Sequence, residues 1–204
     1  MITYTAKASL AAALLTLTAL PAYTQDWTGA YVGAGVSSHS GTNTDYLDGA
    51  PVTPANYDNP YTRSGTMKSL YAGYRIQSDA LVYGAEASRS TGALRMPEPY
   101  TKNRISDYTT LMGKVGYAQD NMLFSAGLGY FQGTLKPVCI NVCGVADISG
   151  VAISLGVDML VSDNVTIGAA ITRRTFEKAS FEKLTQYETE GNDTALELRV
   201  GYNF

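Results

Sequence analysis

The chain has 204 residues, of which 45% are hydrophobic and 16% charged, and its formal net charge is −3. It is too apolar for a disordered chain, and its slight acidic excess excludes a broad basic surface for nucleic acid. One histidine and two cysteines supply few ligands for a metal site. The composition therefore predicts a single folded domain, and we expect neither a metal ion nor a cofactor.

The first segment, residues 1–24, has the pattern of a secretory signal peptide. Lys7 is its only charged residue, a run of Ala, Leu, Ser and Thr follows, and Pro21 ends that run. Small residues then precede the expected cleavage site, which lies after Thr24 or after Ala22. The alternative is a short buried helix. We expect residues 25–204 to be exported as one domain to a compartment where disulfides persist.

Beyond the signal peptide, polar and apolar residues alternate with the period of two that is typical of β-strands. These alternating segments are separated by two kinds of connection, a short turn and a long polar connector, which alternate along the chain. Every proline after residue 25 lies in a long connector, as expected because proline cannot donate to a strand ladder. The eight predicted strands are residues 27–38, 66–77, 81–88, 106–118, 122–132, 149–160, 165–175 and 194–204. The four long connectors are residues 39–65, 89–105, 133–148 and 176–193.

The two faces of these strands differ sharply in composition. One face is apolar and uncharged away from the strand ends, whereas the other carries the charges and eleven glycines. A soluble β-sandwich would expose that second face to water, where glycine has no evident role. A narrow membrane barrel would enclose it, and glycine would make room for larger side chains. The pattern predicts an all-β fold, an eight-stranded antiparallel up-and-down transmembrane barrel.

The charged side chains of the inner face nearly balance, with four positive and three negative groups. An enclosed ion without a partner would suffer a large desolvation penalty. We therefore expect a paired network that plugs the lumen. Its members are Arg75, Glu86, Lys114, Asp158, Arg174, Glu197 and Arg199.

Aromatic residues on the outer face gather near the short turns and the C-terminus. Such a common level is typical of a girdle at one membrane interface. In bacterial barrels the short turns are periplasmic, so we expect both termini there and the long connectors outside the cell. The girdle residues are Tyr74, Tyr83, Tyr117, Phe124, Tyr202 and Phe204.

Four short segments resemble one family of small barrels. They read DWTGAYVGAG at residues 26–35, VYGAE at 82–86, GKVGYA at 113–118 and LRVGYNF at 198–204. Together they are similar to the porin-family or outer-membrane immunogenic proteins of alphaproteobacteria, with Lys114 where an arginine is common. The broader relatives are the OmpA-like and OmpX-like barrels. The resemblance implies an outer-membrane location and recognition of the terminal Phe204 by the barrel-assembly machinery.

Three other features leave alternatives open. Cys139 and Cys143 lie in the third long connector, where an extracellular disulfide is favoured over two free thiols. His39 lies among serines at the start of the first long connector. Some eight-stranded outer-membrane barrels modify lipid A with Ser and His at the outer rim, but fold analogy alone does not place a catalytic site. The acidic fourth connector is expected to be a solvated loop rather than a cation site.

Taken together, the sequence predicts a structural outer-membrane protein that displays surface loops and has no enzymatic activity. The alternatives are a small-solute channel, a surface adhesin or ligand binder and, least favoured, a lipid A-modifying enzyme. The expected partners are outer-membrane lipid, lipopolysaccharide and the assembly machinery. We expect a monomer that does not bind nucleic acid, and the surface ligand is unknown.

Overall fold

The computed structural model describes residues 25–52, 59–95, 104–136 and 144–204. The predicted signal peptide and the predicted disulfide between Cys139 and Cys143 both lie outside these residues. Among the described residues, no helix has the length and apolar character needed to cross a membrane. The strands are β1 (Gly29–Leu47), β2 (Ala50–Pro51), β3 (Tyr61–Ser78), β4 (Leu81–Arg95), β5 (Arg104–Gln119), β6 (Met122–Lys136), β7 (Ala146–Leu160), β8 (Val165–Phe181) and β9 (Leu184–Asn203).

The eight long strands form one closed antiparallel barrel. Each long strand pairs with the next along the chain, and β1 pairs with β9 to close the sheet. The two-residue strand β2 pairs only with the end of β1. Asp79 and Asp120 adopt positive φ in the tight turns after β3 and β5, a conformation that aspartate tolerates better than most residues. The predicted eight-stranded up-and-down barrel is confirmed.

An apolar belt covers the outside of the barrel next to the short turns. Leu70 and Leu198 are 69% and 67% exposed, and large apolar side chains on every long strand share their outward face. The aromatic residues predicted for the girdle all point outward, and Tyr117 and Phe124 are direct cross-strand partners. The outward apolar residues of the belt that lie farthest from the short turns include Val36 on β1, Leu70 on β3 and Leu111 on β5.

The strands extend beyond the belt, and in this the sequence-based boundaries were wrong. Much of the four predicted connectors is strand, and residues 176–193 form the end of a tight β8–β9 hairpin rather than a loop. The apolar alternation stops at the belt because the outer face above it carries Ser, Thr, Gln and charged residues. The ladder itself continues, so the backbone remains paired where the sequence pattern ends.

Above the belt the apolar face moves to the inside of the same strands. Phe131 and Leu135 of β6 point inward there, and Ile148 of β7 and Phe176 of β8 join them in one buried cluster. Gln132, between the two inward residues of β6, is exposed. Burial of apolar surface against water stabilises this upper part. The barrel thus has an apolar exterior in the belt and an apolar interior above it.

Glycines on the inner face fit against aromatic side chains in a reciprocal arrangement between β1 and β3. Tyr31 lies opposite Gly73, and Gly33 lies opposite Tyr71. A Cβ atom on Gly33 would come within 2.2 Å of the Tyr71 ring, and one on Gly73 within 2.5 Å of the Tyr31 ring. Larger residues at either glycine would displace these rings from the lumen.

Candidate functional site in the barrel lumen

The end of the lumen next to the short turns is closed by stacked side chains. The Arg75 guanidinium lies 4.9 Å from the Trp27 ring and 4.1 Å from the Tyr31 ring, both measured to ring centroids. It also donates a hydrogen bond to Asn203. An apolar cluster that contains Trp27 and Leu123 packs beside it. This layer seals the lower end of the barrel.

Glu86 is the centre of the ion-pair network in the middle of the lumen. Arg199 donates to both of its carboxylate oxygens, at 2.6 and 3.4 Å, and Lys114 donates at 3.1 Å. Asp158 lies 3.4 Å from Nε of Arg199 on the other side. The Tyr31 hydroxyl donates to Glu86 at 3.1 Å. Two cations therefore neutralise two carboxylates inside the belt, as the desolvation cost of enclosed ions requires.

A small polar cavity lies above this network. Its volume is about 30 Å³, which holds about two water molecules. Arg174 and Glu197 contribute charged groups to its wall, and Ser69 donates a hydrogen bond to Glu197. The serine and threonine residues that line it are Ser37, Ser88, Ser90, Thr110, Ser125, Ser154 and Thr172.

His39 links this cavity to a second charged cluster at the upper edge of the belt. Its Nε2 lies 2.8 Å from Oγ of Ser37, and its Nδ1 lies 2.9 Å from Oδ2 of Asp193. Arg174 donates to the same Asp193 oxygen at 3.2 Å, and its guanidinium lies over the Tyr108 ring. The prediction that His39 lies in a loop at the rim was wrong, since it is buried on β1.

Ser37, His39 and Asp193 contact one another in the order of a Ser-His-Asp catalytic triad. The cavity around them, however, does not suit hydrolysis. Ser37 and His39 are each 3% exposed, and the cavity beside them has no room for a substrate larger than a few atoms. Nucleophilic catalysis requires a reacting carbonyl within contact distance of the hydroxyl. The arrangement therefore orients buried polar groups. Within the described residues, no group of three or more His, Cys, Asp or Glu side chains is arranged to hold a metal ion.

A third polar layer closes the lumen farther above the belt. Arg63 donates to the Tyr61 hydroxyl, which donates to Asp45 at 3.1 Å, and Tyr187 donates to Asp45 at 3.2 Å. Burial raises the pKa of Tyr61, against the opposing charge of Arg63. Burial also raises the pKa of Tyr108, and the charge of Asp193 acts in the same direction. Both phenols are therefore neutral at physiological pH.

The seven residues predicted for the plug all lie on the inner face but form more than one group. Glu86, Lys114, Asp158 and Arg199 are joined by ion pairs. Arg75 contacts this group through Tyr31, which it overlies. The other two plug residues lie higher. Arg174 pairs with Asp193, and Glu197 bonds to Ser69.

Sequence analysis missed the upper layers of the lumen. Asp193 was placed in an acidic loop and His39 was considered only as a surface catalyst, yet both are buried. Asp193 shares the strand parity of Glu197 and Arg199. Continuing the alternation past the end of the apolar pattern would therefore have placed it inside the barrel.

A closed barrel with an apolar outer belt and a polar plugged lumen defines an integral membrane β-barrel protein. The chain belongs to the family described as outer membrane protein beta-barrel domain, whose model matches residues 9–204. It is therefore a protein of the outer membrane.

Solved structures of outer-membrane proteins are similar to this chain at low sequence identity, and the first of them shows the same fold. OprG from Pseudomonas aeruginosa is 16% identical, with a TM-score of 0.53 over 87% of this chain and 96% of that chain. Neisserial surface protein A is 14% identical, with a TM-score of 0.46 over 84% and 97% of the two chains. Ail of Yersinia pestis is 13% identical, with a TM-score of 0.44 over 87% and 99%. No curated protein sequence matches the chain.

Proposed function

We propose that the protein is a structural component of the outer membrane, a sealed barrel that stabilises the envelope and displays its long connectors. The observation that carries this proposal is the filled lumen. Three layers of side chains, around Arg75, Glu86 and Asp45, obstruct it in succession. The cavity between the lower and upper layers holds about two waters. A path for hydrated solutes would require these layers to separate.

The extension of the strands above the belt supports the display role. The buried cluster around Phe131, Phe176 and Ile148 gives this part of the barrel a packed interior in water. Such a base holds the ends of the connectors at fixed positions, which a surface binder also needs. A ligand-binding role is the second candidate for this reason, and its ligand would contact the connectors. We assign no catalytic role to the buried Ser37–His39–Asp193 contacts.

We further propose that the short turns and both termini face the periplasm and that the barrel is a monomer. The aromatic residues near the short turns support this orientation. Phe204 lies on the outer face beside Tyr202, is 71% exposed, and donates its backbone N–H to Ala30 of β1. We propose that it is the residue read by the assembly machinery. Deletion of Phe204 should then lower the amount of folded protein in the outer membrane.

Single-channel recording in planar bilayers tests the sealed-barrel function. The wild type should give no steady current, because the ion pairs of Glu86 fill the lumen. The double variant Glu86→Ser/Arg199→Ser removes the central pair and leaves one cation, Lys114, and one anion, Asp158, in that layer. Because the layers around Arg75 and Asp45 remain, it should give brief openings without a steady current. The matched control is Lys178→Ser/Glu188→Ser, which removes a pair on the outer surface and should remain silent. Steady, large currents from the wild type would overturn the proposal in favour of a channel.

A further inference from the structure

The outer surface above the belt is strongly basic on one side of the barrel. We use the name basic stripe for five outward cations on strands β3 to β6: Lys68, Arg89, Arg95, Arg104 and Lys136. Asp107 is the one acidic residue on the same outer surface among the described residues of these strands. The stripe stands out because the chain as a whole is acidic.

The basic stripe has two tiers at different heights. In the lower tier, Arg89 lies directly opposite Leu70, the last outward apolar residue of β3 at the upper edge of the belt. Lys68 lies opposite Val36 at the same edge. The upper tier begins six residues farther along β4 at Arg95. At a rise of about 3.3 Å per residue, Arg89 and Arg95 are about 20 Å apart along the strand.

The upper tier places like charges side by side. Arg95 is the direct cross-strand partner of Arg104, and Arg104 is the direct partner of Lys136. Like charges in such positions destabilise a sheet. None of the three cations has an ion pair among the described residues. An anion held between them would offset this repulsion.

On the opposite flank of the barrel, outward cations contact polar or acidic partners. On β8, Lys178 lies 3.8 Å from Glu188 and Arg173 donates to the Thr194 hydroxyl. In the basic stripe, Arg89 is the one cation with an ion pair to another described residue, Asp107 at 3.4 Å. That pair is exposed, and exposed pairs contribute little. The stripe is therefore the outer surface on which cations remain available for a ligand.

We propose that the basic stripe binds the headgroup of an anionic glycolipid in the outer leaflet. The acyl chains would lie on the apolar belt below Leu70, a phosphate would contact the lower tier, and acidic sugars of the same headgroup would contact the upper tier. A simple phospholipid carries its phosphate at one height and does not reach Arg95. The inference rests on the proposed orientation of the barrel, in which the long connectors face outward, and is independent of whether the lumen is sealed.

Binding to defined lipids tests the two tiers separately. The protein, in nanodiscs of phosphatidylcholine, is titrated with three probes: phosphatidylglycerol, lipid A with two phosphates, and lipid A extended by two 3-deoxy-octulosonic acid sugars. The wild type should bind the extended lipid A most tightly and phosphatidylglycerol least. Arg95→Gln/Arg104→Gln should weaken binding of the extended lipid A by about tenfold, the loss of roughly one charge-assisted hydrogen bond, and leave plain lipid A unchanged.

The lower tier and a control complete the test. Lys68→Gln/Arg89→Gln should weaken binding of both forms of lipid A. Arg173→Gln/Lys178→Gln removes two cations from the opposite flank and should change neither. The proposal is overturned if the control lowers affinity as much as the stripe variants, or if phosphatidylglycerol binds as tightly as the extended lipid A. This test measures lipid affinity, whereas the bilayer recordings measure ion current. Failure of the glycolipid proposal can therefore be distinguished from failure of the sealed-barrel proposal.

Discussion

At the scale of single residues, the packing of the lumen depends on glycines, whose lack of a side chain leaves room for aromatic rings. Gly33 and Gly73 face Tyr71 and Tyr31 across the β1–β3 ladder. The rings in turn orient the ions, since Tyr31 donates to Glu86 and Arg199 lies 3.8 Å above the Tyr71 ring. Sequence composition predicted that inner glycines make space. It did not predict which ring each glycine accommodates, because that depends on the register between strands.

Gly33→Ala should destabilise the barrel, because its Cβ would overlap the Tyr71 ring and the carbonyl oxygen of Val200. Overpacking of this kind costs about 1–3 kcal/mol. Gly156→Ala is the matched control, since its Cβ would meet no atom closer than 3.3 Å. Urea unfolding in lipid vesicles measures both. Equal stability of the two variants would contradict the described packing.

Tyr108 predicts a dependence of stability on alkaline pH. Its hydroxyl is buried and has no hydrogen-bond partner among the described residues, and burial raises its pKa. The folded state therefore favours the neutral phenol. This contribution is complete below the unfolded pKa of about 10 and is lost as pH rises through the higher folded value.

Tyr108→Phe should remove part of that alkaline sensitivity. At neutral pH the free energy of unfolding should stay the same or rise by about 1 kcal/mol, because a buried hydroxyl without a partner is removed. Unfolding curves at pH 7 and above pH 10, compared between the variant and the wild type, measure both effects. Identical losses of stability above pH 10 in the two proteins would refute the assignment.

At the scale of elements, the sequence predicted half of each strand well and the other half poorly. Within the belt, lipid requires an apolar outer face, so strict alternation identified the strands and their faces. Above the belt, the outer face meets water and the apolar residues turn inward, which weakens the pattern. Irregularities in register add to this, since the ladder shifts between Ile105 and Asp107 and again between Phe176 and Ala179. Beyond such a shift, counting alternate residues from the belt no longer tells which side chains point into the barrel and which point outward.

Two substitutions on the outer face of β7 test this division of one strand. Leu155 is 63% exposed in the belt, and Ser149 lies on the same face above it. Leu155→Arg should cost about 2–4 kcal/mol, the penalty for arginine near the bilayer midplane. Ser149→Arg should be nearly neutral because its side chain remains in water. If both variants unfold at the same urea concentration in lipid vesicles, the assigned upper edge of the belt is wrong.

At the scale of the whole molecule, one continuous sheet spans two solvents. The outer surface is apolar where it meets lipid, and the interior is partly apolar where the barrel meets water. Within the belt the lumen is polar from Arg75 up to the cluster of Asp193, His39 and Arg174. This organisation accounts for a barrel that is anchored in the outer membrane, and it is the basis of the proposal that the lumen is sealed.

The most direct test of this account is the accessibility of spin labels along the outer face of β7. Labels replace residues 147, 149, 151, 153, 155 and 157 one at a time in a Cys139→Ser/Cys143→Ser background, with the protein in lipid vesicles. Labels at 151–157 should collide mainly with oxygen, which concentrates in lipid, and labels at 147 and 149 mainly with a water-soluble nickel complex. Access of the nickel complex to residue 155, or lipid-like behaviour at residue 147, would contradict the position of the membrane on the barrel.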